Sequence, residues 1–150
     1  MADEFPDIQV FNQTSLSIPL EQPFYQAVAK QLSDEEKCSF NFVEVVYVDE
    51  EKIVQINSEH LNRDYITDII TFRYDDTNHN HDIEGTMFCC GPRIVEQAQE
   101  FNESNKREFL RIYIHGLLHL AGYEDQSEKE KEQMSQKEEF YLNLAEKQYG

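Results

Sequence analysis

The chain has 150 residues, 13 Lys and Arg against 30 Asp and Glu, and a formal net charge of −17. That length suits one domain with its own hydrophobic core, expected to span residues 1–150, and leaves no room for a second. The charge argues against nonspecific binding to naked nucleic acid, which needs a basic surface, and no apolar run approaches the roughly 20 residues of a membrane span.

The acidic start, Met1-Ala2-Asp3-Glu4-Phe5-Pro6, lacks the basic and apolar regions of a secretory signal. The three cysteines, Cys38, Cys89 and Cys90, are odd in number and lack CxxC spacing. They read as reduced residues of a cytoplasmic protein, with the adjacent pair as strand filler.

In chain order, Asp7 to Asn12 reads as a first strand and Pro23 to Leu32 as a helix. Phe40 to Val48, rich in β-branched and aromatic residues, is the strongest strand signal. Asp49 to Asn62 carries Ile53, Ile56 and Leu61 on what would be one helical face. Ile69 to Tyr74 reads as a strand, Asp75 to Asp82 as a polar loop, and Glu84 to Cys90 as another strand. Pro92 opens a helix at a position where proline is tolerated, running to about Phe101. A further helix spans Lys106 to Ala121. Ser127 and Glu130 form a capping-box pattern before a last, heavily charged helix with Met134, Phe140 and Leu144 as a thin apolar stripe. The pattern is α+β: a short mixed sheet packed with helices.

The chemistry concentrates in His115-Gly116-Leu117-Leu118-His119-Leu120-Ala121-Gly122-Tyr123-Glu124-Asp125. At about 100° and 1.5 Å per residue, His115 and His119 share one helix face, roughly 6 Å apart along the axis, so both rings can reach one ion. Gly122 is a natural stop, since glycine enters the left-handed conformation without penalty, and the chain can then return Asp125 to the same point. Three protein ligands leave a fourth position for water, the arrangement of a catalytic zinc, one per chain. The bland alternative is a pair of hydrogen-bonded core histidines. Against it, Glu108, Arg111, His115 and His119 form a single polar seam on a helix apolar almost all round, and a seam of ionisable groups is costly to bury unless something satisfies it. His79-Asn80-His81 has HxH spacing but sits in an Asn- and Asp-rich stretch and reads as solvated loop, and His60 has no local partner.

All five arginines, Arg63, Arg73, Arg93, Arg107 and Arg111, fall in the middle of the chain. Their planar forks suit phosphate, although pairing with neighbouring carboxylates is the competing use and is expected for at least two of them.

The stretch from His115 to Asp125 resembles the signature of the bacterial rRNA maturation endoribonucleases called YbeY, which ordinarily ends in a third histidine. Thr67-Asp68-Ile69-Ile70-Thr71-Phe72 is similar to the family's threonine-aspartate-valine-leucine-serine-phenylalanine segment, and Ile56-Asn57 to its leucine-asparagine pair. Gly85 and Gln97-Ala98 also fall where the family has similar residues, so the resemblance runs from about residue 45 to 125. It implies a small α+β fold, a zinc ion at His115, His119 and Asp125, and single-strand endoribonuclease activity in small-subunit rRNA 3′-end maturation and ribosome quality control. The implied partners are RNA, small-subunit ribosomal proteins and a ribosome-assembly GTPase. Three departures stand out. Asp125 replaces the third histidine, Leu61 stands where many members have an arginine and His60 where they have a tyrosine, and Thr86 replaces an acidic residue. Beyond the metal, Arg63 and Arg111 are the candidate catalytic side chains.

Two other function classes fit parts of the pattern. A non-catalytic ribosome-assembly factor would use the metal structurally and its acidity to bind basic proteins. A zinc peptidase would lack the usual HExxH glutamate, since Gly116 stands in its place, and would need a base from elsewhere, such as Glu84 or Glu108. A two-histidine, one-carboxylate iron site is disfavoured by the helical spacing.

Overall fold

The computed structural model describes residues 6–74 and 81–149. Its elements are β1 (Asp7–Asn12), α1 (Gln22–Glu36), β2 (Phe40–Val48), α2 (Glu50–Leu61), β3 (Ile69–Arg73), β4 (Ile83–Cys90), α3 (Gly91–Glu100), α4 (Asn105–Leu120) and α5 (Glu128–Tyr149). Each matches an expected element. The largest boundary difference is α1, which runs on to Glu36 because Ser33 bonds back to the Lys30 carbonyl at 2.9 Å and Lys30 pairs with Asp34 at 2.7 Å. The helix closes only at the left-handed Lys37, whose amide bonds the Ser33 carbonyl. Most of the expected polar loop at residues 75–82 lies outside the described residues.

The four strands are ordered β1-β2-β4-β3, with β1, β2 and β4 parallel and β3 antiparallel to β4. The sheet is therefore mixed. Alternation along the strands splits the apolar residues between two faces. Val43, Val45, Tyr47, Met87 and Cys89 face the main core with α1, α4 and α5, whereas Val46, Val48, Ile70 and Cys90 meet Ile53 and Ile56 of α2 on the other side. The cysteines are free, and burial pushes the Cys38 thiol up to about 11 and Cys89 up as well, so both behave as packing groups rather than nucleophiles. Among the described residues no helix is long and apolar enough to cross a membrane.

α4 is buried on nearly every side, through Phe109, Leu110, Ile112, Tyr113, Ile114, Leu117, Leu118 and Leu120. It approaches the sheet so closely at Gly116 that an added Cβ would lie 2.8 Å from both Ile69 Cδ1 and Met87 Sδ. Position 116 therefore points at Ile69 of β3 and Met87 of β4.

The last helix corrects one expectation. Its cap is as expected, with Ser127 Oγ accepting from the Glu130 amide at 3.1 Å and Glu130 Oε1 from the Ser127 amide at 2.9 Å. Its buried face, however, is Met134, Glu138, Tyr141, Leu142 and Ala145, while Phe140 is half exposed and Leu144 only partly buried. Glu138 sits in the middle of that face, and its polarity hid the true stripe.

Candidate metal centre

α4 begins at Ser104, whose hydroxyl accepts from the Arg107 amide at 3.1 Å, an N-cap that satisfies one of the first free donors. It ends at Gly122, with φ +107°, the Gly122 amide on the His119 carbonyl at 3.0 Å and the Tyr123 amide on Leu118 at 3.0 Å. This pair of bonds is a Schellman closure, and it reverses the chain so that Asp125 comes back over the last turn of the helix.

Three donor atoms then converge. His115 Nε2 and His119 Nε2 are 3.0 Å apart, and Asp125 Oδ2 lies 3.5 Å from the first and 3.4 Å from the second. Tetrahedral zinc with bonds near 2.0–2.1 Å spaces its ligand atoms about 3.3 Å apart. The triangle has that size and the donor set is borderline-soft nitrogen with one hard oxygen, so the residues fit a zinc-type ion. Each ligand side chain is partly exposed, 19% for His115, 21% for His119 and 33% for Asp125, which leaves the site open to solvent.

Behind the triangle the polar seam of α4 is satisfied from α5. His115 Nδ1 lies 2.5 Å from Glu138 Oε2. Arg111 spans Glu108 at 3.3 Å, Glu139 at 3.5 Å and Glu138 at 3.8 Å. Burial disfavours a charged imidazole at His115, but the hydrogen bond and charge of Glu138, with Asp68 and Asp125 adding, outweigh it and raise its proton affinity. Burial pushes the Glu108 carboxyl up, with Arg111 pulling it back.

The triangle forms part of the wall of a cleft of about 270 Å³, bordered by Arg63, Tyr65 and Asp68 from the segment between α2 and β3. Buried Asn57 holds that segment, donating from Nδ2 to the Tyr65 carbonyl at 2.9 Å, while its own carbonyl accepts from the Arg63 amide at 3.2 Å across the left-handed Asn62. Tyr65 is 53% exposed and its hydroxyl accepts from Arg63 Nη1 at 3.4 Å. Leu61, expected on the apolar face of α2, instead lies 40% exposed on the cleft rim.

The arginines divide. Arg93 pairs with Glu96 and Glu100, Arg107 with Glu103, Glu139 and Glu146, and Arg111 as above. Arg73 donates to the Leu120 carbonyl at 3.0 Å. Among the described residues Arg63 meets no carboxylate at ion-pair distance, and it alone of the five borders the cleft. The structure thus brings Arg63 to the site and leaves Arg111 outside it, held by three carboxylates. His60 packs edge-on against Phe72 at 5.3 Å, Thr86 bonds Glu44 at 2.9 Å, and His81 is exposed while His79 lies outside the described residues. Sequence reasoning missed Glu138 and Tyr65. Glu138 is 23 positions from His115, and the one available sign was a carboxylate interrupting the buried face of α5.

Comparisons with known proteins agree with this geometry. The family model described as "Endoribonuclease YbeY" matches residues 9–146. The chain is 40% identical over 136 residues to the endoribonuclease YbeY of Chlorobium limicola, covering 91% of each chain. It is 43% identical over 107 residues to that of Chloroherpeton thalassium, covering 71% of this chain and 74% of the relative. The solution structure of TM1509 from Thermotoga maritima superposes with a TM-score of 0.63 at 25% identity, covering 95% of this chain and 91% of that one. With the helical histidine pair, the glycine turn and the returning carboxylate all in place, the chain belongs to the endoribonuclease YbeY family.

Proposed function

We propose that this chain is a zinc-dependent endoribonuclease that cuts single-stranded RNA in the maturation of small-subunit ribosomal RNA. The observation that carries this reading is the convergence of His115, His119 and Asp125 on one point in an open cleft. Zinc held by three protein ligands supplies a bound water of pKa about 7 and a Lewis acid for a phosphoryl oxygen.

The chain's own residues supply the rest. Arg63, without a carboxylate partner among the described residues, is available to hold a phosphate beside the metal ligands. Tyr65 offers an exposed ring for stacking an unpaired base, which favours single strands over duplex. Gly116 stands where an HExxH peptidase carries its glutamate base, and a Cβ there would lie 2.8 Å from Ile69 Cδ1 and Met87 Sδ, so this position supplies no base for peptide hydrolysis. The acidity of the remaining surface suits basic small-subunit ribosomal proteins as partners. A purely structural metal is disfavoured by the exposure of all three ligand side chains.

The test is a metal-dependent cleavage assay on single-stranded RNA with His115→Ala as control. The purified protein should carry about one zinc per chain and His119→Ala should lose most of it. Cleavage that survives His115→Ala would be a contaminant's, and stoichiometric zinc in His119→Ala would overturn the ligand assignment.

A further inference from the structure

We propose that Glu138, on the last helix, is a positioning residue that fixes His115 as the Nδ1-protonated tautomer and so keeps its Nε2 lone pair turned toward His119 and Asp125. A carboxylate only accepts hydrogen bonds, so the 2.5 Å contact between Glu138 Oε2 and His115 Nδ1 places the ring proton on Nδ1. Nε2 of a neutral ring is then bare. The two Nε2 atoms lie 3.0 Å apart, so a bare His115 Nε2 is placed to accept from His119 in the metal-free protein.

The orientation of Glu138 is itself fixed. Its side chain is 11% exposed, and its second oxygen lies 3.8 Å from Arg111, which Glu108 and Glu139 hold from either side. Around it Met134, Tyr141, Leu142 and Ala145 are apolar and buried. A carboxylate at the centre of such a face is costly to bury unless paired, and the group it pairs with is a metal-ligand imidazole. Carboxylates in this relation to a ligating histidine fix its tautomer and raise its basicity as a ligand. The last helix, which supplies no metal ligand, thereby completes the metal centre.

The inference rests on His115 being a metal ligand, and two measurements separate the two readings. Nitrogen-15 NMR of the histidine rings in zinc-free protein at alkaline pH should show His115 with its proton on Nδ1. Glu138→Met, which keeps length and packing but removes the acceptor, should shift that signal toward the Nε2-protonated form. The same variant should bind zinc about 10–100-fold more weakly in competition against a chelator. Glu138→Gln, which keeps the shape and an acceptor oxygen but no charge, should lose about tenfold. A His115 signal unchanged in Glu138→Met, or parent zinc affinity in a folded variant, overturns the proposal. If Glu138→Met does not fold, Glu138→Gln decides: parent affinity overturns the proposal and tenfold weakening supports it. A parent protein that binds no zinc sinks the metal reading instead, and the tautomer measurement still judges Glu138.

Discussion

Replacing Gly122 with alanine isolates the turn that brings Asp125 to the candidate metal triad. The residue sits at φ +107°, and an added Cβ meets nothing within 4 Å, so the methyl neither clashes nor gains a contact. The whole effect is backbone strain, of about 1–3 kcal/mol for a non-glycine residue held at positive φ. Alanine also restricts the unfolded chain, which returns roughly 0.4–1 kcal/mol. The net destabilisation is about 1–2 kcal/mol, or roughly 2–8 °C in Tm for a chain of this size. Thermal unfolding in the presence of a chelator measures that number without any contribution from metal. Repeating the scan with zinc asks whether the strained turn holds: a parent-like rise in Tm means Asp125 still reaches the histidines, and a reduced rise means the turn has relaxed away from them. A Tm in chelator equal to or above the parent's would refute the reasoning, because it would mean that the closing bonds to His119 and Leu118 do not require this backbone conformation.

Asp125→Ala should lose zinc affinity and RNA cleavage together, whereas Asp125→His should keep zinc; a chelator competition in which the alanine variant matches the parent would remove Asp125 from the ligand set. Arg63→Glu should weaken binding of single-stranded RNA and flatten its salt dependence, while Arg93→Glu, whose guanidinium is already paired with Glu96 and Glu100, should change binding little; equal effects from both would point to bulk charge alone. Glu36 is partly buried, which alone would raise its pKa, but bonds from Tyr123 at 2.6 Å, from Tyr141 and from Lys137 at 3.0 Å hold it below its ordinary 4.5. Its stabilisation is therefore complete above the unfolded-state value near 4.5 and is lost as pH falls through the lower folded value. Urea titrations of Glu36→Gln should show lower stability at neutral pH and a shallower acid decline, and an acid limb as steep as the parent's would count against this account.

The convergence of His115, His119 and Asp125 into a candidate metal triad was legible because everything that places them is local. Helical spacing aligns His115 with His119, and a single glycine reverses the chain to Asp125. β2 was legible for a similar reason, since its β-branched run from Val43 to Val48 is buried on both faces of the sheet. Long-range polar pairing was not. Whether Arg111 faces a phosphate or Glu139 depends on where α5 lies, and nothing in residues 106–121 fixes that. The same holds for Glu138, which pattern reading treats as solvent-facing until the tertiary structure turns it onto His115. Leu61 failed for a different reason: helical periodicity assigns a face but not what lies opposite it, and at the last residue of α2, just before the left-handed Asn62, the side chain falls on the cleft rim instead of in the core.

The carboxylate of Glu36 joins three segments at the back of the site. It receives Tyr123 from the turn that carries Asp125, and Lys137 and Tyr141 from the helix that carries Glu138, while itself closing α1. The turn that carries Asp125 and the final helix thus share one carboxylate, and any coupling between them would run in both directions with equal strength. An ion captured at His115, His119 and Asp125 should then favour the docking of α5 on α4, and a change that loosens α5 should lower the affinity for the ion by the same factor. Amide hydrogens of α5 should then exchange more slowly when zinc is present, although none of them lies in a segment that touches the metal.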